Sequence, residues 1–221
     1  MTIAYDIETC PLPLEGFSER QMRRYRMDLT RETAKKPDAD HDDLSRFVRS
    51  VNPHLGWVCC IAVARFDEDA PGYIRTHSWY AADPAREAAM MIAFWSAIQS
   101  SANRPDHVVT FNGKSFDAPF LTVRAIAGKV QLPPVARVVL NTHRWRDQPH
   151  TDLAHVAHPV RMGLADLCDL CGVETPKGDI SGADVAGCVE RGEAGRVREY
   201  CMADTRATLD CYAHLGELCA L

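Results

Sequence analysis

The sequence predicts an α/β fold in which a mixed sheet is flanked by helices. Three observations predict it. Segments of strand character crowd the first half of the chain, one helical segment interrupts them, and the chain beyond residue 150 reads as mainly helical.

Residues 2–7 (TIAYDI) form the first expected strand. Residues 15–50 are polar and dense in Arg, Asp and Glu. They are expected to be a helical insertion of two helices broken near Lys36-Pro37-Asp38. Residues 56–66 (GWVCCIAVARF) are almost continuously apolar, as in a strand buried on both faces. Residues 72–80 follow as its hairpin partner across the turn DEDAPG. Residues 84–100 have helical spacing with Pro84 in the first turn. A strand at 107–111, a turn at Asn112-Gly113 and a helix from about 116 come next, with Ser115 placed to cap it. A short strand is expected at 136–141, and a long final helix from about 194.

The bulk numbers suit a folded domain. The chain has 221 residues, 46% hydrophobic and 25% charged, enough for one domain spanning 1–221. No apolar run approaches membrane-spanning length, and the N-terminus lacks a charged-then-apolar signal pattern. We therefore expect a cytoplasmic protein without a membrane partner. The nine cysteines form no disulfide-like framework, so they are expected as free, buried thiols. The net charge of −5 speaks against gripping nucleic acid by bulk electrostatics, yet it permits an acidic metal centre beside a local basic groove. No Gly-rich phosphate loop appears, which argues against ATP use.

Acids break the apolar pattern in three places. Asp6 and Glu8 share one face of the first strand, where like charges repel unless a cation or proton lies between them. A solvated edge strand is the plain alternative. Asp117 falls in the first turn of its helix, a common place for an acid, but between Phe116 and Phe120 in a segment that must pack on the sheet. Asp204 interrupts a buried stripe of the last helix: Val197, Cys201, Thr208, Cys211, Leu215 and Leu218. Tyr200 lies one turn earlier on the same side. An ion pair with Arg198 or Arg206 is the alternative there, although both project away from the stripe. If the four carboxylates converge they need divalent cations, and oxygen-only ligation suits Mg²⁺ or Mn²⁺.

These residues carry a family pattern. YDIET resembles the Asp-x-Glu motif of the DEDD exonuclease superfamily, and NGKSFDAPFL its second motif as found in the proofreading exonuclease domain of family B DNA polymerases. YCMAD resembles the third motif in its tyrosine form. The histidine form would need His where Glu199 stands. The stretch GVETPKGDISGADV resembles stand-alone bacterial members related to that polymerase domain.

The resemblance implies a ribonuclease-H-like fold with a mixed five-stranded sheet, and two-metal 3′→5′ hydrolysis of DNA 3′ ends, single-stranded or frayed. It implies that Asp6, Glu8 and Asp204 hold the metal that activates water. Asp6 would bridge to a second metal that Asp117 reaches, and Tyr200 would orient the water. Two rival functions stay open: the same site trimming RNA, and a nucleic-acid-binding module that has lost its chemistry.

Candidate substrate contacts are Thr9 through its backbone, Asn112 in the second motif, Phe116 as a wedge beside the terminal base, and Lys177 on a phosphate. Phe116 fits a core role equally well, and Lys177 a solvated loop. The run Arg23-Arg24-Tyr25-Arg26 is either a clamp on nucleic acid or a solvated helix face. Cys168 and Cys171, with His143, His150, His155 and His158 nearby, allow a structural zinc site. No second Cys-x-x-Cys completes it, and both thiols also fit the apolar face of a helix at 163–171. Oligomeric state is not legible.

Overall fold

The structure is a computed structural model that describes residues 1–70, 72–100, 103–143, 146–156, 160–176 and 179–219. Five strands form one sheet: β1 (Thr2–Pro11), β2 (Gly56–Phe66), β3 (Ile74–Tyr80), β4 (His107–Thr110) and β5 (His150–Asp152). Their order is β3-β2-β1-β4-β5. β1 runs antiparallel to β2 and parallel to β4, β2 and β3 form an antiparallel pair, and β4 and β5 are parallel. β1 is therefore the centre of a mixed sheet and not a solvated edge, which removes the plain reading of Asp6 and Glu8.

The charged segment folds as expected, into α1 (Glu19–Lys35) and α2 (His41–Ser50). Ser18 and Gln21 form a capping box on α1, and Asp40 caps α2 through the N–H groups of Asp42 and Asp43. The break falls at Lys36-Pro37 because proline cannot continue the helix. Tyr25, Val48 and Leu55 make a small core of their own beneath this hairpin, joined by the Tyr25–Ser45 hydroxyl contact at 2.8 Å.

α3 (Glu87–Gln99) and α4 (Asp117–Ala127) cover the sheet face that carries Ile3, Tyr5 and Ile7. α6 (Leu164–Cys171) and α8 (Ala194–Cys219) lie on the Ala4, Ala64 and Val109 side. Between them run the short α5 (Ala136–Val139) and α7 (Val185–Glu190). A buried ion pair fastens the first layer: Arg124 of α4 donates to both oxygens of Glu87 on α3, at 2.6 Å for the shortest contact. Glu87 also accepts the Val58 N–H at 2.7 Å, so its carboxylate satisfies a strand donor beyond the end of β3.

Two expectations fail here. Residues 136–139 are helical, not a strand. Pro133 and Pro134 set the entry, and the Ala136 N–H bonds back to the Pro133 carbonyl. The fifth strand is instead His150–Asp152, built from polar residues. Among the described residues, no helix is long and apolar enough to cross a membrane.

Candidate metal centre

Alternation along β1 turns Asp6 and Glu8 to the α8 side of the sheet, in line with Ala4. Opposite them on β2 stand Ala62 and Cys60. These small side chains let α8 approach closely. The ladder shifts register between Glu8 and Thr9, leaving Cys59 without a direct partner. The Cys59 thiol donates to the Glu8 carbonyl at 3.3 Å. Such an irregularity re-aims side chains at the end of a strand. Glu8 is only 8% exposed, and Asp6 is half-buried.

Asp117 opens α4 and is 2% exposed. Its Oδ1 accepts the Ile7 N–H at 3.0 Å. β4 has ended at Thr110, so this carboxylate takes over as acceptor where the neighbouring strand is missing. The second motif is thereby tied directly to the first.

The turn that delivers Asp117 is held from β5. Asp152, fully buried, accepts the N–H of Asn112 at 2.6 Å and of Lys114 at 3.0 Å. Asn112 adopts a left-handed φ of 64°, which asparagine tolerates. A Cβ at Gly113 would come within 2.5 Å of the Thr110 side chain, so only glycine fits there. Ser115 does not cap α4; Asp152 satisfies the turn from outside the segment. Lys114 is buried and points away from the acids. Its Nζ donates to the carbonyls of His143 and Arg146 at 3.1 and 2.6 Å.

α8 supplies Tyr200 and Asp204. Val197, Cys201, Thr208, Cys211 and Leu215 are buried as the stripe requires, whereas Asp204 is half-buried at an opening. The side chain of Leu218 lies outside the described residues. Arg198 is engaged with the Ser78 hydroxyl and carbonyl, each at 3.0 Å. Arg206 turns to the Ile74 carbonyl and stacks on Tyr73. Among the described residues, no ion pair reaches Asp6, Glu8, Asp117 or Asp204.

The electrostatics follow from burial without compensation. Desolvation is the largest effect on each acid. It drives Asp6 and Glu8 well above the carboxylate range, Asp117 up to about 7 and Asp204 up to about 6. Repulsion adds to it: Asp117, Glu8 and Asp204 raise Asp6, and Asp204 raises Glu8. Burial raises the Tyr200 phenol too, followed by the charges of Asp204, Glu8 and Asp6, so the hydroxyl keeps its proton. The four acids and the phenol thus share one field.

The tightest group is Asp6, Glu8 and Cys201, with ligand atoms all within 4.8 Å of one another. Asp117 and Asp204 are not part of that trio, but their charges act on Asp6 and Glu8. The donor set fits a divalent cation: the carboxylate oxygens are hard ligands, and with no side-chain cation pairing with them among the described residues, burial raises the pKa of each.

The other candidates are less uniformly placed. The Thr9 hydroxyl is used on the insertion, donating to the Ser50 carbonyl at 2.8 Å. Asn112 is exposed at the turn. Phe116 is half-buried with its ring 5.5 Å from Phe120, against the core. Lys177 and His158 lie outside the described residues.

Among the described residues, the Cys-x-x-Cys and its histidines form no metal-ligating group. Cys168 faces Cys211 at 3.7 Å. His150 is buried, and its Nδ1–H donates to the Asn141 carbonyl while Nε2 lies 2.8 Å from the Thr110 hydroxyl. Burial lowers the His150 pKa to about 4, so the ring is neutral. Asp152 and Lys114, which hold the second motif, escaped the sequence reading. A polar triplet with no apolar alternation, HTD, carries no strand signal. Cys201 was visible only as a member of the stripe.

The chain matches, over residues 51–218, the family described as "Predicted 3'-5' exonuclease related to the exonuclease domain of PolB". That span contains Asp117, Tyr200 and Asp204; Asp6, Glu8 and the insertion precede it. The fold is similar to the family B DNA polymerase from the hyperthermophilic archaeon Pyrobaculum calidifontis, with a TM-score of 0.56 and 19% identity. The likeness covers 97% of this chain and 24% of the polymerase. At that identity it shows the ribonuclease-H-like architecture and no more. A search of curated proteins returns no match. With more than half of its length matched, the chain belongs to the family of predicted 3′–5′ exonucleases related to the PolB exonuclease domain.

Proposed function

We propose that the protein is a 3′→5′ exonuclease of the tyrosine DEDD type, hydrolysing phosphodiester bonds at DNA 3′ ends with two divalent cations, Mg²⁺ or Mn²⁺. In this reading residues 1–221 act as one exonuclease domain, and 15–50 are an insertion in it. One observation carries the proposal: four carboxylates from β1, α4 and α8 share one field, and among the described residues no cationic side chain pairs with them. Family membership supports the polarity and the class of reaction.

Asp6, Glu8 and Asp204 would hold one cation, and Asp6 with Asp117 the second. When bound, the cations activate water and stabilise the charge that develops on the phosphate. The chain's own residues supply position. The Ile7 N–H fixes one oxygen of Asp117. The Tyr200 phenol is too weak an acid to form the phenolate a general base would need, so its hydroxyl orients the attacking water by hydrogen bonding. The backbone of Thr9 follows Glu8 on β1, and Asn112 is exposed in the turn between β4 and α4, which carries Asp117; a 3′ nucleotide would be held between them. Phe116 offers a ring edge for the terminal base, and Lys177 a cation for a phosphate.

The test is digestion of 5′-labelled DNA and matched RNA with Mg²⁺, Mn²⁺ or chelator. A ladder shortening from the 3′ end, faster on DNA and abolished by chelation, is expected. Cleavage surviving full chelation rejects the mechanism, and faster RNA trimming reassigns the substrate. A protein that binds both without cutting either is the silent module.

A further inference from the structure

Cys201 stands where a cation held by Asp6 and Glu8 would meet it. Its Sγ lies 3.6 Å from Asp6 Oδ2, on the buried side of the acids. Zinc binds thiolate at about 2.3 Å and carboxylate at about 2.0 Å, so a tetrahedral angle puts the two ligand atoms roughly 3.5 Å apart. Without a metal the thiol donates to Oδ2 and to the main-chain carbonyl of Asp6, each at 3.6 Å, and the Oδ2 spacing also suits two ligands of one small tetrahedral ion. Glu8 adds an independent sign. It is more than nine-tenths buried, and its carboxylate has no hydrogen-bond or ion-pair partner among the described residues. Its oxygens fall within 4.8 Å of both other donors.

We propose that Asp6, Glu8 and Cys201 form a mixed oxygen–sulfur site that takes thiophilic divalent cations, Zn²⁺ or Cd²⁺, in competition with the hard cations that support cleavage. The inference rests on the reading of Asp6 and Glu8 as metal ligands and adds a property of this chain's own side chain. Mg²⁺ demands octahedral oxygen ligation and gains little from sulfur. Zn²⁺ accepts four ligands, prefers thiolate to carboxylate, and outranks Mg²⁺ for nitrogen and sulfur donors. Coordination replaces the thiol proton: the S–H bond breaks, a metal–sulfur bond forms, and the proton leaves to solvent. The chain would supply three of the four ligands, leaving the fourth position to water. The site would be selective in the sense that traces of zinc silence it.

The probe is Cd²⁺ added to the full chain, read by the sulfur-to-metal charge-transfer band in the near ultraviolet, with zinc-edge X-ray absorption as a second measure. Wild type is expected to show one cadmium–thiolate band that Cys201→Ser loses, and one sulfur in the zinc shell that the variant also loses. Glu8→Gln keeps the thiol but should need at least about tenfold more Cd²⁺ to reach the same band, since even an outer-shell partner is worth that much. It keeps the test decisive if Cys201→Ser fails to fold by circular dichroism. A band equally strong in Cys201→Ser, or unmoved in Glu8→Gln, places the metal on other thiols and overturns the proposal. So does the lack of any band in wild type. Mg²⁺-dependent cleavage is measured on protein stripped of Zn²⁺ with chelator, reloaded with Mg²⁺, and before any Cd²⁺ is added. If cleavage is absent while the band behaves as expected, the exonuclease reading falls and the mixed site stands.

Discussion

Replacing Asp117 with asparagine should stabilise the metal-free protein while abolishing cleavage. Asp117 is 2% exposed, and its pKa is raised from 3.8 to about 7, chiefly by burial. An acid whose folded pKa lies above its unfolded one holds a proton in the folded state that the unfolded chain releases. Its charging penalty is therefore nil below the unfolded pKa, grows as pH rises, and is complete above the folded pKa. The displacement corresponds to an order-of-magnitude penalty of about 4 kcal/mol at pH 8 and under about 2 kcal/mol at pH 5.

Asparagine keeps the acceptor for the Ile7 N–H and has no charge to bury. Urea unfolding in chelator, at both pH values, should show Asp117→Asn gaining on wild type by a few kcal/mol at pH 8 and by clearly less at pH 5. Added Mg²⁺ should then raise the stability of wild type and leave the variant nearly unmoved. If the variant is no more stable than wild type at pH 8 without metal, the carboxylate does not carry an uncompensated charge, and the argument for a cation centre loses its base.

Other substitutions separate roles. Asp6→Ala should fold and show no cleavage, whereas Tyr200→Phe should retain activity within about 100-fold of wild type, the scale of a positioning loss; equal losses in a labelled-DNA assay would contradict the division. Asp152→Ala should lower unfolding free energy by about 3 kcal/mol, because the Asn112 and Lys114 N–H groups lose their acceptor. Glu87→Ala should cost about 3–5 kcal/mol by stranding the Arg124 guanidinium and the Val58 N–H; denaturant titration reads both.

Much of the fold was legible where local chemistry decides it. β2 matches its apolar run at both ends because a strand buried on two faces needs no alternation. The α1–α2 break follows from Pro37. Residues 136–139 misled because Val-rich composition favours strands, yet a preceding Pro-Pro pair and the Val139 carbonyl, which accepts the Tyr5 hydroxyl at 3.1 Å, hold a helical turn. β5 was invisible because what makes it a strand is its neighbour: His150 and Asp152 are buried polar residues satisfied by Thr110 and by the turn after β4.

The candidate site was legible for a different reason. A carboxylate in a packed segment is costly unless something compensates it, so each of the three breaks announced a partner that sequence could not name. Sequence gave the arginines of α8 as possible partners; packing sends Arg198 to Ser78 and Arg206 to Ile74, which leaves Asp204 to the acids. What decides the matter is long-range. β1 lies mid-sheet, small residues let α8 close over it, and Asp117 replaces the missing end of β4 by accepting the Ile7 N–H. The same close approach brings Cys201 against Asp6. A helix near enough to deliver Asp204 to the strand acids also carries the residue one turn before it against them, so in the proposed mixed site the hardness of the centre would be set by that position as much as by the acids.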